Sequence, residues 1–180
     1  MAFFPIFIDL QDKTVLIVGS GAQALRKARH LEPYGPQIRF LDTLTPGDLD
    51  PAPALVILAG GERTAWANLC RAQNIPVNSV DDISNCSFYF PSLIKRENLS
   101  IGICSGGWTP AAGMVLREQL EEALPSNLEA IMPWLAEVTQ RLRRTIPDSA
   151  IRSSILRQIT QAAFEKNRPL TESELLEISM

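Results

Sequence analysis

Residues 14–29, TVLIVGSGAQALRKAR, constrain the fold of this chain more than any other stretch. The apolar run Val15-Leu16-Ile17-Val18 stops at Gly19-Ser20-Gly21, and Ala24, Leu25 and Ala28 then recur at helical spacing. Strand, tight turn and helix in immediate succession is the setting in which G-x-G-x-x-A reads as a dinucleotide-binding turn. Each position has its own reason. Gly19 permits the turn, Gly21 lets the backbone approach a pyrophosphate, and the small Ala24 lets the helix pack closely on the sheet. The free N–H groups and dipole of the helix start attract phosphate. Asp42 closes the next apolar run, Ile38-Arg39-Phe40-Leu41. That is about 20 residues on, where a ribose-binding acid belongs. The same glycine pattern also occurs in turns that bind no nucleotide, so it needs support from elsewhere in the chain.

The chain has 180 residues, a net charge of −3 and 46% hydrophobic residues. This is the composition of a globular protein with one domain or a domain plus an appendage. The acidic balance gives nucleic-acid binding no support. No uninterrupted apolar run reaches the roughly 18 residues of a membrane span. The apolar start, MAFFPIFIDL, lacks the basic head and cleavage site of a signal peptide and reads as a strand. Cys70, Cys86 and Cys104 are odd in number and widely spaced, which is neither a disulfide framework nor a zinc motif. Buried or semi-buried thiols in a reducing cytoplasm are expected. The single histidine, His30, sits in the first helix and leaves no multi-histidine metal site.

Strands are predicted at residues 4–10, 14–18, 37–41, 54–58 and 75–80, with helices at 22–31 and 62–73 between them. The segment from Thr43 to Pro53 holds three prolines and a glycine and reads as loop with at most one short turn. Alternating strands and helices imply a parallel sheet. The carboxyl ends of its strands carry Gly19, Asp42, Gly60 and Asp81, so four segments converge on the edge where such sheets bind ligands. Extended pieces are expected at Phe88–Pro91 and Leu99–Cys104, joined by a polar turn over 95–98. Thr109 and Pro110 open a helix that ends before Pro125. Ser126 is expected to cap the next, with Leu128, Ile131, Leu135, Val138 and Leu142 at helical spacing. Asp148 opens a third, carrying Ile151, Ile155, Ile159 and Phe164, and Thr171 opens a short fourth.

Two polar clusters carry candidate chemistry. Asp81 and Asp82 stand at a strand end, where a carboxylate can serve as a general base if its surroundings tune it, or can simply cap a loop. Ser105-Gly106-Gly107 offers a hydroxyl and backbone N–H groups near a helix start, a fair anion site or an ordinary helix entry.

The stretches Pro5-Ile6-Phe7 with Leu10, LIVGSGAQALRKARHLE, VNSVDDISNCSFYFPSLI, and SIGICSGGWTP with LREQLE stand in order through residues 5–121. In this the chain resembles the precorrin-2 dehydrogenase/sirohydrochlorin ferrochelatase family, the N-terminal module of siroheme synthase. The resemblance implies an α/β fold with a Rossmann-like parallel sheet binding NAD at 1–91, a dimerisation segment at 92–124 and a helical domain at 125–180. It implies hydride transfer from precorrin-2 to NAD⁺, with insertion of ferrous or cobaltous ion in some members.

Asp81 stands at the family's catalytic aspartate, which in bifunctional members also serves chelation. No fixed metal site is implied. Gly19, Ser20, Gly21, Ala22, Gln23, Ala24, Asp42, Thr43 and Gly60 fall at cofactor positions. Ser105, Gly106, Gly107, Thr109 and Arg117 fall on the substrate side, where Lys95 and Arg96 are further candidates for a tetrapyrrole bearing many carboxylates. A cytoplasmic homodimer without nucleic-acid or membrane partners is expected. The departures are specific. Ala112-Gly113-Met114 replaces a Leu-Ala-Arg run, the loop after the third strand is short, and so is 43–53. These leave open a degenerate member that binds without catalysis, and a chelatase that uses no NAD.

Overall fold

The structure is a computed structural model that describes residues 4–106 and 109–179. It divides into two compact units. The first runs to Phe90 and takes in Gly106; the second comprises Pro91–Ser105 and the chain from Thr109 onward.

In the first unit, β1 (Thr14–Val18), β2 (Gln37–Leu41), β3 (Leu55–Leu58) and β4 (Val77–Ser79) form a parallel sheet in the order β2-β1-β3-β4. Val15 to Val18 have no exposed surface, which is what an apolar run buried on both faces of a parallel sheet requires. Val15, Ile17 and Ile57 pack with Ala24, Ala28 and Leu31 of α1 (Ala22–Leu31) on one face. Leu16, Val18, Val56, Leu58 and Val77 pack with Trp66, Ala67 and Cys70 of α2 (Arg63–Ala72) on the other. The chain leaves β1 for β2 on one side and returns for β3 on the other. The strand order therefore reverses between the carboxyl ends of β1 and β3, the place where open α/β sheets bind ligands. The crossover from β2 to β3 has no α-helix. A single 3-10 turn, Pro46–Leu49, is closed by Thr45 and Asp48, whose carboxylate accepts from the Thr45 N–H at 2.9 Å and hydroxyl at 2.6 Å. Leu44 and Leu49 fill the core there. This matches the single short turn expected in that segment.

Three expectations need correction. Residues 4–10 pair with no strand among the described residues, and Phe4, Ile6, Phe7 and Ile8 are exposed, with only Leu10 buried. An apolar alternation without a ladder partner is not a strand. The extended pair after the sheet is β5 (Ser92–Arg96) with β6 (Leu99–Ile103), and Arg96 faces Leu99 across a two-residue turn, Glu97-Asn98. Lys95 and Arg96 are therefore strand, and Glu97 takes the positive φ, 45°, that a tight hairpin turn needs. Ser126 does not cap the helix that follows; its hydroxyl accepts from the Asn167 side chain at 2.7 Å, and Asn127 is the capping-position residue.

In the second unit, α3 (Pro110–Ala123) packs on the hairpin, closely enough that a Cβ on Gly113 would meet the Ser92 hydroxyl at 2.9 Å. Thr109 precedes Pro110 in extended conformation but makes no side-chain capping bond. The helices α4 (Leu128–Thr145), α5 (Ser149–Glu165) and α6 (Glu172–Ser179) share a core of Ile131, Leu135, Val138, Leu142, Ile159, Ala163 and Leu175. Ile151 lies outside it, 55% exposed. Asp148 caps α5 as expected, accepting from the N–H groups of Ala150 and Ile151 at 2.8 and 2.9 Å. Asp148→Ala leaves both donors to water and is expected to cost about 1 kcal/mol in urea unfolding.

Candidate functional site

At the carboxyl end of β1 the chain enters Gly19 with φ 106° and Gly21 with φ 87° and ψ −169°. The second lies in a region that is essentially closed to residues with a side chain. Gly19 N–H donates to the Leu41 carbonyl at 2.8 Å, which ties the turn to the end of β2. A Cβ on Gly19 would sit 2.9 Å from Gly60 N and 3.1 Å from Ala59 C, so the two loops at the switch point touch backbone to backbone. A Cβ on Gly21 would meet nothing within 4 Å. Gly21 is also the capping-position residue of α1 and supplies no side-chain acceptor. The first-turn N–H groups of the helix are thus uncapped beside open space, the arrangement that receives a phosphate.

A cleft of about 270 Å³ opens there, floored by Gly19, Ser20, Gly21 and Ala24. Asp42 stands on its rim, and Leu25 and Phe40 form an apolar wall. The cleft gathers five of the sequence-predicted cofactor residues. Gly60 supports it from below through Gly19. Thr43 is exposed one residue beyond Asp42, and Ala22 begins α1; neither lines the cleft. Leu25 and Phe40 were not predicted. Their signal is the pair of apolar residues left exposed on α1 and on the edge strand, 52% and 50%.

The second strand end to matter is that of β4. Residues 79–82 form a tight turn, with Asp82 N–H donating to the Ser79 carbonyl at 3.3 Å and Asp81 held at φ 58°. The two carboxylates do different work. Asp82 accepts from the Ser84 hydroxyl and the Asn85 amide, each at 2.7 Å, and these bonds hold its carboxyl below the usual range. It is the loop cap. Asp81 is exposed, and its carboxylate accepts from the Gln23 amide at 3.4 Å. Gln23 Oε1 in turn accepts from Arg26 at 2.6 Å. On the far side of the turn, Arg63 of α2 donates to the Val80 carbonyl at 2.6 Å. Cys86 Sγ accepts from Ser79 N–H at 3.2 Å, and burial pushes its thiol pKa up, so it is a packing group.

Ser105 and Gly106 follow β6, Thr109 precedes α3, and Gly107 lies outside the described residues. Arg117 is paired with Glu121 at 2.6 Å, and Arg96 reaches the same carboxylate at 2.9 Å.

A four-stranded parallel sheet with a glycine turn at its switch point and an acid closing β2 defines a Rossmann-like dinucleotide-binding protein. Residues 6–45 and 37–92 match the family model described as putative NAD(P)-binding. The chain is 32% identical to siroheme synthase of Pseudomonas paraeruginosa over 98% of its own length and 44% of that protein. It is 30% identical to siroheme synthase of Thiobacillus denitrificans over 81% of its length and 35% of that protein. SirC, a precorrin-2 dehydrogenase of known structure, aligns over 98% of this chain and 96% of its own with TM-score 0.68 at 17% identity, which shows a shared fold. The chain is therefore similar to siroheme synthases over nearly its whole length, with residues 6–92 matched as an NAD(P)-binding domain. It spans less than half the length of the curated siroheme synthases it matches.

Proposed function

We propose that this chain is an NAD-dependent dehydrogenase that oxidises precorrin-2 to sirohydrochlorin. One observation carries the reading: the glycine turn and the exposed carboxylate of Asp81 belong to one unit and are joined by Gln23, two residues past Gly21. The open space over Gly21 and the uncapped start of α1 fit a dinucleotide pyrophosphate, and Asp42 fits a ribose. When bound, the nicotinamide supplies the hydride acceptor.

The substrate loses two electrons and two hydrogens, one as hydride and one as a proton. Asp81 stands free of capping bonds to take that proton. Gln23, steadied by Arg26, orients the Asp81 carboxylate, and Arg63 fixes the turn that presents it. Leu25 and Phe40 provide apolar surface for the nucleotide. The comparisons with siroheme synthases support the substrate class.

The same reading includes a cytoplasmic homodimer built on the 92–124 segment. Support comes from α3, where Met114, Val115, Leu116 and Leu120 are 41–54% exposed and only Gly113 is buried. Ferrous-ion insertion into the product rests on the family alone. No helix of the described residues is long and apolar enough to cross a membrane.

The test is nucleotide dependence. NAD⁺ is expected to bind about tenfold or more tighter than NADP⁺, ~1.4 kcal/mol, because Asp42 repels a 2′-phosphate. Asp42→Ser is expected to narrow that gap in calorimetric titration. NADH must form only when precorrin-2 is added; failure to bind either nucleotide would favour the chelatase or non-catalytic member.

A further inference from the structure

Lys27 lies one helical turn after Gln23 on α1, half-buried, with its ammonium 3.9 Å from the centroid of the Phe90 ring. Phe90 is held in turn by Phe88 at 5.6 Å and His30 at 6.5 Å. No carboxylate among the described residues reaches ion-pair distance of Lys27. The cations of the second unit that sit in ion pairs are already engaged, Arg96 and Arg117 with Glu121, Arg141 with Glu172, and Lys166 and Arg168 with Glu174. Lys27 is different. Burial, and then the neighbouring Arg26, pull its pKa down, while the charge of Asp81 acts on it in the opposite sense. An ammonium that has given up part of its water for a ring face alone retains the capacity for an incoming anion. Its place beside the Arg26–Gln23–Asp81 chain says where that anion would lie.

We propose that Lys27 is a substrate-positioning residue, binding an acidic side chain of the polycarboxylate tetrapyrrole so that the reacting carbon is held at Asp81. The inference rests on the dehydrogenase reading. The Phe90 ring face lies 3.9 Å from the ammonium, and the charge of the adjacent Arg26 adds to the positive potential there. Oxidation at one carbon of a large macrocycle requires that its rotation be fixed, and a charge-assisted hydrogen bond to one peripheral carboxylate does this.

The test uses Lys27→Met, which keeps an unbranched side chain without the charge, together with Lys27→Gln and Lys27→Arg, in steady-state oxidation of precorrin-2. The expected result for the two neutral variants is a KM for precorrin-2 raised about tenfold, the loss of one charge-assisted bond of ~1.4 kcal/mol. Their kcat stays within about twofold and the KM for NAD⁺ does not move. Lys27→Arg stays near wild type. Added salt should raise the wild-type KM more than that of the neutral variants. An unchanged KM for precorrin-2 in folded neutral variants overturns the inference. So does a fall in NAD⁺ affinity, which would place a cofactor phosphate on Lys27, or a loss confined to kcat. Wild-type turnover with unaffected variants would leave the dehydrogenase standing without this role for Lys27. Absence of wild-type turnover would remove both.

Discussion

Asp81→Ala is expected to lower kcat for precorrin-2 oxidation by about 10²- to 10⁴-fold, the range for loss of a positioned general base. The KM for NAD⁺ should hold, because Asp81 lies on β4's turn and not in the glycine cleft. A second substitution separates chemistry from structure. Asp81 sits at φ 58°, where a residue with a Cβ is strained and glycine is not. Asp81→Gly should therefore be as stable as wild type or more so, by up to about 1 kcal/mol, and as inactive as the alanine variant. Thermal unfolding and single-turnover kinetics measure the two effects. An acid retained in a position that favours glycine suggests that the turn serves presentation of the carboxylate. If Asp81→Gly proves less stable than wild type, the turn is not strained in that sense.

The glycine turn yields the largest expected effect on stability. Gly19→Ala places a methyl 2.9 Å from Gly60 N and 3.1 Å from Ala59 C, and both obstacles are backbone. Neither can swing aside as a flexible side chain would. With φ at 106° the substitution is strained before any clash, and the sum is expected to be about 3 kcal/mol of lost stability. NAD⁺ binding should vanish with the switch-point packing. Gly21→Ala differs in kind. Its backbone also excludes a side chain, for about 2 kcal/mol, but its methyl would point into empty space. That space is where a pyrophosphate would lie, so the folded fraction of Gly21→Ala should lose NAD⁺ affinity by about tenfold or more. Urea unfolding with calorimetric titration distinguishes the two. Equal loss of stability at both positions would contradict the backbone contact between Gly19 and Gly60.

The legible parts of this fold are those where local sequence and long-range packing impose the same pattern. Val15–Val18 is apolar on both faces because both faces are covered, and Gly19 and Gly21 stand where only glycine serves. Asp42 was legible for the same reason: it closes a strand that must end at the cleft. Residues 4–10 misled because alternating apolar residues say nothing about whether a ladder partner exists. The hairpin register misled because its turn is Glu97-Asn98, with no glycine at the positive φ. Lys27 was invisible in a different way. A lysine in an amphipathic helix reads as solvated, and its half-burial is imposed by Phe90, far along the chain. Nor can two adjacent aspartates be told apart in sequence, because the capping of Asp82 depends on where Ser84 and Asn85 turn their side chains.

The most direct measurement is anaerobic turnover of precorrin-2 with NAD⁺, following NADH and sirohydrochlorin together, with Asp81→Ala as control. The account predicts that the two products appear in equal amounts and that both are lost in the variant. Sirohydrochlorin without NADH, or turnover undiminished in Asp81→Ala, would contradict it.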